Sequence, residues 1–278
     1  MINRLAGALV RAVLVMMLIV TPSTLLSGVG TDGKEMVALV ALFAGFLTFI
    51  EYNSAYPGLI EFRDAPPFNR VRFGMLFATV FLLTLIARGV EQPTTLTVFV
   101  QSVGALIGTA MDFPYSPVRL ATLVIGESAT DGQVGLVRIA AGMSYLISLL
   151  SLAVFVILLK FYGWPSRGGA FNVWVNLPTF DPTAGGDVVD RLDRDARINI
   201  ALGFLLPFLI PAVVKAGTTG FEPLTFTSPQ TLIWTMAAWS FLPASLFMRG
   251  IAMGRIADMI REKRRLNGIS SAEGYIPA

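Results

Sequence analysis

The sequence predicts an all-α fold, a polytopic bundle of about seven transmembrane helices, on three observations. Hydrophobic residues make up 54% of the 278 residues and charged ones only 14%, against about 25% charged in an average soluble domain. The apolar residues form continuous runs rather than the alternating ~10-residue strands of a barrel. A helix satisfies its own backbone polar groups, as hydrocarbon demands.

Seven runs qualify: residues 5–26, 36–50, 71–87, 94–111, 139–159, 198–214 and 232–248. The first opens between Arg4 and Arg11, like a signal peptide. No small-residue cleavage pattern follows in Thr21-Pro22-Ser23-Thr24, so a retained span is expected. Glu51 closes the second run, Arg70 and Arg88 bracket the third, and Asp112 closes the fourth. Arg138 and Lys160 flank the fifth, Arg197 and Lys215 the sixth, and Arg249 ends the seventh. Several runs lie near the lower limit of about 17 residues for a crossing.

These runs define a membrane domain over 1–248, with polar loops at 51–70, 113–136 and 163–197, and a basic amphipathic tail over 249–278. Pro66 and Pro67 break any helix in the first loop. Residues 118–125 are too short to span and predict a surface helix. In the third loop acids precede bases at i, i+4: Asp187 with Arg191, Asp190 with Arg194, Asp193 with Arg197. That spacing predicts a helix. It also makes a calcium site there the weaker reading.

The tail residues Arg255, Arg261, Lys263, Arg264 and Arg265 predict lipid headgroup contact and a cytoplasmic C-terminus. Seven spans then put the N-terminus outside. The alternative is six spans plus a re-entrant helix at 198–214, where Pro207 and Pro211 stand one turn apart. The division of basic residues does not separate the two. Seven are preferred because membrane helices tolerate proline. Arginine outnumbers lysine heavily, the usage of a GC-rich bacterial genome, so a bacterial inner membrane is expected.

Candidate functional residues are few. Gln101 and Ser102 stand mid-run and suit either a pore contact or an interhelical hydrogen bond. Gly104 and Gly108 form a G-x-x-x-G, and Gly142 and Ser144 offer a second small-residue face. Such faces serve helix packing or a partner helix. Trp164, Trp174, Trp234 and Trp239 suit interfacial anchoring, core packing or an apolar ligand. No acid or base lies near the middle of runs two, four, five, six or seven, which argues against proton-coupled transport.

With no histidine, no Ser-His dyad and no H-E-x-x-H zinc helix is possible, and no G-x-x-x-x-G-K-[ST] loop occurs. No catalytic residue, metal or cofactor is expected. The net charge of +3 reads as topology rather than nucleic-acid binding. The expected function is non-catalytic: an accessory, assembly or scaffold subunit held by the bilayer and by other membrane proteins. The alternative is a channel for an uncharged or weakly polar solute.

Overall fold

The computed structural model describes residues 2–125, 129–164, 172–181, 183, 185–217 and 228–273. Nine helices are present among them: α1 (Ile2–Leu25), α2 (Thr31–Asn53), α3 (Phe68–Glu91), α4 (Thr95–Met111), α5 (Pro117–Leu123), α6 (Asp131–Tyr162), α7 (Val173–Asn176), α8 (Val188–Gly217) and α9 (Pro229–Glu273). Six of them, α1, α2, α3, α6, α8 and α9, are long and apolar enough to cross a membrane, and α4 is a shorter apolar helix of 17 residues. The chain is a multi-pass helical bundle.

Local chemistry sets the helix ends. Thr94 and Thr97 form a reciprocal capping box at the start of α4, and Thr130 with Gln133 does the same for α6. Each pair satisfies two otherwise orphaned N–H groups. Ser116 caps α5 with Pro117 at its first position. Gly163, at φ 57°, ends α6 in the left-handed conformation that glycine adopts without steric cost.

Contacts between helix ends give the topology. Arg4 of α1 reaches the end of α2 at Tyr52 and Ser54, and Ser27 beyond α1 reaches Glu91 at the end of α3. Phe68 at the start of α3 packs on Phe155 late in α6 (ring centroids 5.8 Å). Arg264 late in α9 bonds Asp187 before α8. Thus the starts of α1, α3 and α8 and the ends of α2, α6 and α9 share one end of the bundle.

Helix α4 starts and finishes at the opposite end. Gln101 donates to the Ile86 carbonyl near the end of α3 (2.9 Å). Gly104 faces Ile86 and Ile139, Gly108 faces Arg138, and Asp112 pairs with Arg138 (2.8 Å) in the early part of α6. Over twelve residues α4 therefore advances hardly at all along its neighbours, and lies across them. Asp112 also pairs with Arg119 of α5 (2.8 Å). The expected surface helix buries Val118 and Ala121 in the bundle.

The run at 198–214 is not a re-entrant turn. It belongs to α8, which continues for 30 residues through Pro207 and Pro211. Pro211 has no N–H to offer the Pro207 carbonyl four residues back. The Trp239 indole N–H of α9 takes that place, at 3.2 Å. A tertiary donor substitutes for the missing helical one, and the helix survives.

Two hydrophobic cores stack along the bundle. One gathers Val80, Ile86, Ala140, Ala141, Ile233 and Ala237 at the α4 end. The other gathers Phe62, Phe68, Phe155, Leu177, Leu192 and Met248 at the opposite end. α9 runs unbroken past Arg249, and Ala252, Met253, Ile256 and Ala257 are wholly buried in this second core. At 45 residues α9 is about 67 Å long, over twice the hydrocarbon thickness.

Candidate functional site

The end of the bundle holding the starts of α1, α3 and α8 is closed by a polar cap built on the 54–67 loop. The Glu51 carboxylate accepts N–H groups from Gly58, Leu59 and Ile60 at 3.0–3.2 Å, winding the loop around itself. The Arg63 side chain, 4% exposed, donates to the Glu51 and Ser54 carbonyls at 3.0 and 2.7 Å. It caps the carbonyls at the end of α2, where a cation is favoured, and pairs outward with Asp64 (3.0 Å). Phe62 donates its N–H to the Asn176 carbonyl of α7 (2.6 Å), which ties in the third loop.

Glu61 lies at the centre. Arg249 of α9 grips its carboxylate in a fork at 2.6 and 2.9 Å, and the Thr179 hydroxyl donates at 2.7 Å. Arg72, over the Phe68 and Phe241 rings at 5.0 and 5.5 Å, adds a second positive charge nearby. Burial alone would raise the Glu61 carboxyl. The Arg249 and Thr179 hydrogen bonds, with the Arg249 and Arg72 charges, outweigh it and hold the group below its ordinary value. A carboxylate so held is a structural anion and a poor proton acceptor.

Beside this cap a cavity of about 640 Å³ opens between the start of α1, the end of α2 and the third loop. Arg4, Arg11, Tyr52, Arg63 and Asp64 line it. Arg4 donates to the Ser54 and Tyr52 carbonyls, while Arg11 donates to the Gly7 carbonyl (2.7 Å) and stacks on Tyr52 at 4.5 Å.

The residues singled out from the sequence sit elsewhere. Gln101 is bonded inside the bundle, whereas Ser102 is exposed on its outer side and bonds its own helix at Val98. Gly104, Gly108 and Gly142 are buried where α4 crosses α6, and Ser144 is buried on α6 with its hydroxyl donating to the Ala141 carbonyl. Arg261 pairs with Asp193, Arg264 with Asp187 (2.7 Å) and Arg265 with Glu262 (2.7 Å); Arg255 and Lys263 are exposed. The Arg264 hydrogen bond chiefly holds the Asp187 carboxyl below its ordinary value. Trp164 and Trp239 are core residues, and the side chain of Trp174 lies outside the described residues.

The cap and cavity went unseen in the sequence, where Arg4 and Arg11 read only as the basic opening of the first span. One motif was also missed: Gly28-Val29-Gly30-Thr31-Asp32-Gly33 has G-x-G-x-x-G spacing. It follows the membrane helix α1 rather than a strand, so the dinucleotide-binding context is lacking.

Compared with known proteins, the chain matches no family model, no curated protein and no solved structure. Fold and geometry alone carry the functional reading.

Proposed function

We propose that this is a non-catalytic membrane protein that works by contact, as an accessory, assembly or scaffold subunit of a larger membrane complex. The observation that carries it is how the capping carboxylates are spent. Glu61 is held by Arg249 and Thr179, Glu51 by three backbone N–H groups, Asp187 by Arg264 and Asp193 by Arg261. Such a site holds a shape well and moves protons poorly. The α8–α9 pair carries this shape beyond the bilayer, as a mount for other proteins would.

The proposed setting is a bacterial inner membrane with both termini cytoplasmic. Among the described basic residues, Lys34, Arg88, Arg119, Arg138 and Lys215 lie at the α4 end, and the others gather with the termini. Cytoplasmic loops carry such an excess. A channel has less support, since Gln101 is engaged with a backbone carbonyl and Ser102 faces outward.

Mild extraction of the chain, tagged after residue 278, followed by mass spectrometry of bound proteins tests the reading. Partners at fixed stoichiometry are expected. A monodisperse species free of other proteins overturns it.

A further inference from the structure

We propose that the cavity between α1 and α2 binds a phosphate-bearing anion at the level of the lipid headgroups. Arg4 and Arg11 are seven residues apart on α1, two helical turns, and so share a face. Their side chains meet the end of α2 at Ser54 and Tyr52. The hydrogen bonds of these two guanidinium groups go to backbone carbonyls and, for Arg11, to the Tyr52 side chain as well. Neither forms an ion pair with a carboxylate among the described residues.

The charges around the cavity do not cancel. Arg63 adds a third guanidinium, and Asp64 is the carboxylate that lines the cavity, already paired to Arg63. Glu51 is nearby, but its oxygens are filled by the loop N–H groups. Arg72 stands near enough to Tyr52 for its charge to act there as well. Guanidinium groups present planar donor forks that match phosphate oxygens.

The space fits as well. Gly7 lines the cavity without a side chain, and a Cβ there would stand 2.9 Å from the Arg11 Nη1. At about 640 Å³ the volume exceeds what a lone phosphate needs and falls in the range of small-molecule sites. Leu5 and Leu9 of α1 and Phe46 and Ile50 of α2 are exposed and apolar, so both helices present lipid-compatible surface.

The test is a thermal-shift titration of the whole chain in uncharged detergent, with phosphatidylglycerol in one arm and inorganic phosphate in the other. Phosphatidylcholine controls for a general lipid effect. A saturable stabilisation by phosphatidylglycerol is expected, weakened at least about tenfold in the Arg4→Gln/Arg11→Gln variant, since two charge-assisted hydrogen bonds are lost. It should persist in a Lys34→Gln/Lys160→Gln control, which removes two exposed charges outside the cavity. Stabilisation by inorganic phosphate as well supports the site and assigns it to free phosphate too. Should the double variant fail to fold, Gly7→Leu, which fills the cavity, is expected to weaken binding similarly. Equal shifts with phosphatidylcholine, or shifts unchanged in the cavity variants, overturn the proposal.

Discussion

Alanine replacing Gly142 should destabilise the fold, while alanine replacing Gly74 should stabilise it. Both glycines lie inside helices, α6 and α3, so either exchange gains up to about 1 kcal/mol of helix propensity. The difference is room. A Cβ on Gly74 meets nothing within 4 Å. On Gly142 it would stand 2.6 Å from the Gly108 Cα and 3.0 Å from the Gly108 N. These are backbone atoms of α4, and no rotamer change relieves them. Ordinary carbon contact lies at about 3.5–4.0 Å, so α4 must move away by roughly 1 Å, opening the packing of Gly104 on Ile139. Overpacking of this kind costs about 1–3 kcal/mol. Net of the propensity gain, Gly142→Ala loses up to about 2 kcal/mol. At about 2–4 °C per kcal/mol in a chain of this size, its midpoint falls by several degrees and that of Gly74→Ala rises by a few. Thermal unfolding in detergent, read by tryptophan fluorescence, separates the two. A Gly142→Ala protein at least as stable as Gly74→Ala would refute the reasoning and free this face for a partner helix.

Three further outcomes are expected. Glu61→Gln weakens the cap by removing the charge that Arg249 grips. The folded carboxyl is held below its ordinary value, so its stabilisation is complete above the unfolded value of about 4.3 and is lost as pH falls through the folded value. Melting scans from pH 7 to pH 3 should show that acid component in the natural protein, and an undiminished component in the variant would count against the pair. Trp239→Phe leaves the Pro207 carbonyl without its donor and should cost about 1–3 kcal/mol, read by chemical unfolding; no change would mean that the indole bond carries nothing. The chain has no cysteine, so single cysteines report topology cleanly. Those placed at Leu59 and Lys263 should label from one side of sealed vesicles, and those at Gly28 and Tyr115 from the other. Tyr115 labelling with Leu59 would show that α4 crosses.

The bundle was legible because span chemistry is local. Each apolar run became part of a helix, and most of the charges flanking it lie within a few turns of a helix end, although Arg249 falls midway along α9. The course of α4 was not legible, since length and apolarity read alike whether a helix crosses the bilayer or lies across its neighbours. What decides is the meeting of Asp112 with Arg119 and Arg138. The proline pair in α8 suggested a break, and only the approach of Trp239 from another helix explains its absence. The acids at the start of α8, Asp187 just before it and Asp190 and Asp193 within it, suggested i, i+4 pairs, whereas Asp187 and Asp193 turn to Arg264 and Arg261 on a helix some seventy residues on. The polar cap lies further still from local inference, because its central contact joins residues 188 positions apart.

That separation has a consequence for the order of synthesis. Glu61 emerges from the ribosome early and Arg249 near the end, with most of the spans made in between. Until α9 arrives the Glu61 carboxylate must remain with water or with whatever attends the nascent chain. A product truncated before residue 249 therefore carries its own mark of incompleteness, an acid at the membrane surface whose counterpart was never made.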